Sequence, residues 1–133
     1  MLIIDTPSAM TRAIATTNNP WLRRRLLLRR DQLFDADCLV GDLGPLIVVL
    51  PGDTLADVER AAGLPIATNL VDGAVFPAPD YMPSWEACER DHGWYEITYV
   101  LSDDGSGAVI FLPDRDGVDP TLRAIARAHA DAH

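Results

Sequence analysis

Residues 94–113, WYEITYVLSDDGSGAVIFLP, predict a β-hairpin, because two runs of strand-forming residues flank a cluster of turn residues. In the first run apolar side chains alternate with a mixed set, as expected for a strand that has one face in the core. The predicted core residues of the hairpin are Tyr95, Ile97, Tyr99, Leu101, Ile110 and Leu112. The rest of the chain is expected to cover this hairpin.

The turn of the hairpin sets the register of its two strands. If Asp104 and Gly105 form a two-residue type I′ turn, Ile97 pairs with Leu112 and the other pairs follow. A three-residue loop with Gly105 in the left-handed region shifts each partner by one residue. We favour the two-residue register, in which Gly105 also has a positive φ.

Two runs, residues 108–112 and 46–50, contain no polar side chain. A strand of this composition needs cover on both of its faces. We therefore expect both runs to be interior strands of the sheet.

Capping and turn signals predict the remaining elements. The predicted helices are 7–17, 20–34, 55–62 (after a capping box at Thr54 and Asp57, with Gly63 as the C-cap), 85–91, and a terminal helix that begins at Pro120. The predicted additional strands are 2–4, 38–41, 66–71 and 74–76.

This order of elements predicts a single α+β domain over residues 1–133. Its sheet is expected to be mixed, mostly antiparallel, to contain about four to five strands centred on the hairpin, and to be packed by helices. The alternative is an α/β-like arrangement with helices on both faces of the sheet.

The composition is that of a globular chain: 133 residues, 48% hydrophobic and 23% charged. We find neither a basic leader nor an apolar run long enough to span a membrane, so no membrane association is expected. Cys38 and Cys88 are expected to be reduced thiols. Together these features predict a soluble, cytoplasmic protein.

The net charge is −9, yet five of the eleven basic residues, Arg23, Arg24, Arg25, Arg29 and Arg30, lie within eight positions. An acidic protein repels nucleic acid. Binding of DNA or RNA is therefore not expected, and it would depend on the arginine-rich helix 20–34.

The arginine-rich helix is predicted to pack its leucines on the core and to expose an outer stripe. That stripe consists of Trp21, Arg24, Arg25, Leu28 and Arg29. Tryptophan and arginine beside an exposed leucine are typical of protein interfaces, so we expect a protein partner or a second copy of the chain in a homodimer. The alternative is that the arginines pair with acidic residues of the same chain.

Residues 80–92 are rich in reactive side chains and are the alternative location for a site. A pocket for a ligand, or for the substrate of a small enzyme, would use Asp80, Tyr81, Trp85 and His92. On the predicted helix 85–91, Trp85, Cys88 and His92 share one face, which is also the pattern of simple core packing.

The sequence indicates no catalytic residues: it contains neither a nucleophile triad nor a phosphate-binding loop. His129 and His133 have a spacing that suits a metal, but a complete set of metal ligands is missing, so neither a metal nor a cofactor is expected. The favoured function is a non-catalytic protein-interaction or regulatory module. The alternatives are a ligand-binding domain or small enzyme with its pocket at 80–92, and nucleic-acid contact through helix 20–34.

Overall fold

The computed structural model describes residues 1–33, 45–63, 67–71, 74–77, 84–100 and 107–132. The helices are α1 (Pro7–Thr16), α2 (Pro20–Leu33), α3 (Leu55–Ala62) and α4 (Pro120–Ala132). The strands are β1 (Leu2–Ile4), β2 (Leu46–Val48), β3 (Ala67–Val71), β4 (Ala74–Pro77), β5 (Ser84–Asp91), β6 (Trp94–Val100) and β7 (Gly107–Pro113).

Five strands form one mixed sheet in the order β1-β2-β7-β6-β5, and β3 and β4 form a separate two-stranded sheet. The pairing of β2 with β7 is parallel, whereas the other three pairings of the large sheet are antiparallel. The predicted α+β class and mixed sheet are confirmed. β2 and β7 are interior strands, as their lack of polar side chains predicted.

The sheet has a separate apolar core on each face, because successive residues of a strand point to opposite sides. Ile47, Val49 and Ile110 pack with residues of α3 and α4, and Val48 and Phe111 pack with residues of α1 and α2. Helices therefore cover both faces, which is the layering of the α/β-like alternative, combined with a mostly antiparallel sheet.

The hairpin of β6 and β7 forms with a register that differs from both predicted ones. Ile97 pairs with Ile110, a shift of two residues from the favoured register. The last described pair is Val100 with Gly107, and residues 101–106, including Gly105, lie outside the described residues. A shift of two keeps every side chain on its predicted face.

The core prediction for the hairpin is confirmed at Tyr95, Ile97, Ile110 and Leu112, each at most 3% exposed. The side chains of Tyr99 and Leu101 lie outside the described residues.

The predicted starts of α1, α2 and α3 are confirmed by their caps. Thr6 Oγ1 accepts a hydrogen bond from Ala9 N, and Asn19 Oδ1 accepts one from Leu22 N. The capping box at the start of α3 is present, and Gly63 ends that helix with a φ of 73°.

Asp119 caps α4 and also fixes its position relative to α3. Its Oδ1 accepts from Thr121 N, and its Oδ2 accepts from Leu55 N, both at 2.8 Å. One carboxylate therefore holds the first turns of two helices on the same face of the sheet.

The prediction of a helix over residues 85–91 is wrong, because this segment is strand β5, paired with β6 along its length. The register shifts between Trp85 and Ala87, so that Trp85 lies opposite Tyr99 and Cys88 opposite Ile97. A bulge of this kind makes an interval of three residues in β5 match an interval of two in β6. The bulge therefore accounts for the interval of three residues between Trp85 and Cys88, which resembles the spacing of residues on one face of a helix.

Candidate functional site

Three of the five residues that were predicted to form an exposed stripe on α2, namely Trp21, Arg25 and Arg29, are buried or half-buried against the sheet. Trp21 is 8% exposed, stacks on Trp94 with ring centroids 6.3 Å apart, and meets Phe111 edge-on at 6.4 Å. The prediction that Trp21 lies on an exposed surface is wrong, because the indole is buried against two aromatic rings of the sheet. Arg25 and Arg29 follow at intervals of four residues on the same row of the helix.

Arg25 and Arg29 both bind the carboxylate of Glu96, which is 3% exposed on the α2 face of β6. Arg29 Nε donates to Glu96 Oε1 at 3.0 Å, and its Nη2 donates to Thr98 Oγ1 at 3.2 Å. The alternative in which these arginines pair with acids of the same chain holds for these two. We call Arg25, Arg29, Glu96 and Thr98 the Glu96 network.

The outer face of α2 carries the remaining members of the stripe. Arg24 and Leu28 are exposed, and Leu28 is 43% exposed. Arg23 is exposed beside them, and neither Arg23 nor Arg24 forms an ion pair with any described residue. Among the described side chains of α2, the exposed members of the predicted stripe are thus Arg24 and Leu28, so this surface is smaller than the stripe that the sequence predicted.

The predicted pocket residues are only partly within the described residues. Asp80 and Tyr81 lie outside them, as does the side chain of Trp85. Cys38 and the side chains of Cys88 and His129 lie outside as well, together with the strand candidate at 38–41. His92 is described, is exposed, and lines a cleft at one end of the large sheet.

This cleft, the His92 cleft, has a volume of about 630 Å³. It lies between the α1–α2 connection, the ends of β1 and β2, the β5–β6 turn and the residues that follow β7. Its apolar wall includes Leu22, Val48, Leu50, Trp94 and Pro113, and its polar rim includes Thr17, Asn18, Asn19, His92 and Arg115.

His92 and Gly93 form the turn between β5 and β6, with φ values of 50° and 79°. Positive φ at both central residues is the signature of a type I′ turn, which suits Asn-Gly better than His-Gly. Among the described residues, His92 is the one non-glycine with a positive φ. The turn therefore holds an imidazole at the cleft in a backbone conformation that most residues avoid.

The hydroxyls at the rim already donate to the backbone of α1. Thr17 Oγ1 donates to Ala13 O at 2.5 Å and Thr16 Oγ1 donates to Arg12 O at 2.9 Å. In contrast, the side chains of Asn18 and Arg115 have no hydrogen-bond partner within the part of the chain that the structure describes. Asn18 and Arg115 are therefore the rim groups best placed to bind a ligand.

Sequence reasoning found His92 and missed the other cleft residues. The residues of the apolar wall come from α2, β2, β6 and β7, so no local pattern connects them. The one local signal was the His92-Gly93 pair between two strand-like segments, which is a turn signal. It was hidden by the prediction of a helix over 85–91.

Searches against models of protein families, curated proteins and solved structures found no match to this chain. Within the described ranges, no group of three or more His, Cys, Asp and Glu residues could hold a metal ion. No described helix is both long and apolar enough to cross a membrane.

Proposed function

We propose that the protein is a non-catalytic binding module and that the His92 cleft takes a small amphipathic ligand. The observation that carries this proposal is the cleft's volume of about 630 Å³ combined with an apolar wall and a polar rim. Sites for small molecules commonly have this size and are lined by apolar side chains with a few polar groups.

The lining indicates the chemistry of the ligand. Trp94, Leu22 and Val48 offer an apolar surface for an aromatic or aliphatic body. Arg115 offers a cationic group with several donors, and Asn18 offers both donors and acceptors. A ligand with an apolar body and one anionic head, such as a carboxylate, matches both halves of the cleft.

Binding is favoured over catalysis by the state of the rim hydroxyls. A hydroxyl nucleophile needs a neighbouring base that takes its proton. Thr16 and Thr17 instead donate to backbone carbonyls, which cannot act as that base. The rim therefore suits recognition of a ligand better than attack on it.

An anionic amphipathic dye, 8-anilinonaphthalene-1-sulfonate, is a suitable first probe. We expect one dye to bind per folded chain with a Kd on the order of 10 to 100 µM, since ligands of this size gain about 0.3 kcal/mol per heavy atom. Leu50→Glu, which places a carboxylate on the apolar wall, should weaken dye binding about tenfold. Fluorescence titration measures both values.

Leu28→Glu is the matched control, because Leu28 is also a partly exposed leucine but lies outside the cleft. It should leave dye binding unchanged. Urea unfolding of both variants checks that each chain is folded. Equal dye binding by the wild type and Leu50→Glu would contradict the proposal.

The second candidate function is protein association through the outer face of α2. It is favoured by the exposure of Leu28 on the same helix as Arg23 and Arg24, which form no ion pair with a described residue, on a chain of net charge −9. A basic face on an acidic chain is complementary to the rest of a second copy. A C2 homodimer would place the outer face of each α2 on an acidic surface of the other chain.

A further inference from the structure

Three arginines, one on β5 and two on α4, surround one carboxylate, that of Asp114, directly after β7. Arg90 Nη2 lies 2.8 Å from Asp114 Oδ2, while Arg123 Nη2 and Arg127 Nη2 lie 3.2 Å and 3.7 Å from Oδ1. The side chain of Asp114 is 5% exposed. We call Arg90, Arg123 and Arg127 the Asp114 arginine cluster.

The fold holds these guanidinium groups in place. Arg123 and Arg127 are four residues apart and so lie on one face of α4. Arg90 sits over the ring of Tyr95 at 5.7 Å from its centroid, and the Tyr95 hydroxyl donates to Asp114 Oδ2 at 3.4 Å. The cluster is therefore ordered by contacts that do not use all of its N–H groups.

Within the described side chains, positive charge exceeds negative charge around the cluster. Among the described side chains within ion-pair distance, three positive charges face two negative ones, Asp114 and the fully exposed Asp116, which lies 3.7 Å from Arg123 Nη1. An excess of positive charge in one place is notable on a chain whose net charge is −9. An anion approaching this surface is attracted to the cluster and repelled elsewhere.

The cluster also has unused hydrogen-bond donors. Each guanidinium carries five N–H groups, far more than one carboxylate can accept. Arg127 approaches Asp114 only to 3.7 Å, which is longer than a hydrogen bond. Arg90 and Arg127 are 57% and 55% exposed, so their outer N–H groups face solvent.

We propose that the Asp114 arginine cluster binds a tetrahedral dianion, namely the phosphoryl group of a small phosphate ester or inorganic phosphate. Arginine is suited to this role because its planar fork gives paired, charge-assisted hydrogen bonds to phosphate oxygens. Arg90 and Arg127 contact the anion, and the buried carboxylate of Asp114 holds their guanidinium groups in position. Asp114 also lines the His92 cleft, but the three guanidinium groups do not, so the anion would bind beside the cleft and not in it.

The alternative is that the arginines only attach α4 to β5, as surface ion pairs of small energetic value. The two accounts differ in what happens when Asp114 loses its charge. A structural role predicts only a loss of stability. Anion binding predicts tighter binding of phosphate, since the competing carboxylate is gone.

The test is a titration of the ¹⁵N-labelled full chain with inorganic phosphate and, separately, with phenyl phosphate, at constant ionic strength. We expect shifts of the arginine Nε–Hε signals that saturate in the wild type. Arg90→Gln and Arg127→Gln should each weaken binding by about tenfold, the effect of losing one charge-assisted hydrogen bond. Tighter binding of phenyl phosphate than of phosphate would identify an ester as the ligand.

Arg60→Gln is the matched control, because Arg60 is an exposed arginine of α3, away from the cluster, and its one ion pair among the described residues is with Asp57 of the same helix. It should leave phosphate binding unchanged. Asp114→Asn should bind phosphate more tightly than the wild type. If that variant does not fold, Arg90→Gln and Arg127→Gln still decide the question.

The proposal is overturned if the wild type shows no saturable shift, or if Arg60→Gln weakens binding as much as the cluster variants do. It is also overturned if a folded Asp114→Asn binds phosphate less tightly than the wild type.

Discussion

At the scale of single residues, the carboxylate of Glu96 holds two arginine side chains between a helix and a sheet. A buried charge is costly unless it is paired, and Glu96 is 3% exposed. Arg25 and Arg29 are themselves largely buried, and their guanidinium groups reach Glu96 from α2. The Glu96 network therefore fixes how α2 sits on β6.

Glu96→Gln is expected to lower the free energy of unfolding by about 3 kcal/mol, because it leaves two arginines facing a group that cannot neutralise them. Glu59→Gln on α3 removes the same charge from a site without an ion pair among the described residues, and should stay within about 0.5 kcal/mol of the wild type. Urea unfolding followed by circular dichroism measures both changes.

A triple variant separates the pairing from the packing. Replacing Arg25, Arg29 and Glu96 together by leucine or methionine should restore most of the lost stability, since apolar side chains can replace a buried ion pair. A triple variant as unstable as Glu96→Gln would mean that the shape of the network, and not its charge balance, stabilises the interface.

At the scale of elements, the first turn of α3 illustrates how a local cap responds to pH. Thr54 Oγ1 accepts a hydrogen bond from Asp57 N, and Asp57 Oδ2 accepts one from Thr54 N. The backbone hydrogen bond from Thr54, followed by that from its side chain, lowers the pKa of Asp57 below its ordinary value. The ionised carboxylate is therefore the form that stabilises the folded helix.

Asp57→Asn should destabilise the protein at neutral pH, where the carboxylate is ionised in both the folded and the unfolded chain. Because the folded pKa is the lower one, this contribution is complete above the unfolded pKa and is lost as the pH falls through the folded pKa. The difference between wild type and variant should thus shrink on acidification. Urea midpoints measured from neutral to acidic pH test this.

Elements whose signals are local were predictable from the sequence. The caps at Thr6, Asn19 and Thr54 each act within three residues, and all three helices begin where predicted. β5 was not predictable in this way, because its bulge gives Trp85 and Cys88 a helical spacing and only the pairing with β6 reveals the strand.

The orientation of α2 and the two candidate sites depend on contacts between distant residues. The sequence pattern of Arg25 and Arg29 is that of surface residues, because their partner, Glu96, lies about seventy positions later in the chain. The sequence around Arg90 and Arg123 gave no signal of a site, because their common partner, Asp114, follows a third element, β7. The arginines of residues 23–30 form a cluster in the sequence itself, whereas the Asp114 arginine cluster forms only when the chain folds.

At the scale of the whole molecule, the acidic surface and the basic outer face of α2 predict self-association. Light scattering at micromolar concentration should show a dimer. The double variant Arg24→Glu, Leu28→Glu should convert it to a monomer of unchanged stability, since both side chains are exposed. Reversing Arg25 or Arg29 would be uninformative, because it breaks the Glu96 network.

The control for this experiment is Arg60→Glu, which makes the net charge more negative at an exposed position of α3. It should leave the dimer intact. A monomeric wild type would rule out self-association and leave a foreign protein as the partner of this face.

The parallel pairing of β2 with β7 has a consequence for how the chain is made. Leu46 of β2 pairs with Val109 of β7, and β1 reaches the sheet only through β2. On the ribosome, β1, α1, α2 and β2 emerge well before the central strand that they are built around. The apolar face of α2, with Trp21 and Leu26, therefore lacks its β7 partners until β7 has been synthesised, and we expect the chain to be most prone to aggregation during that interval.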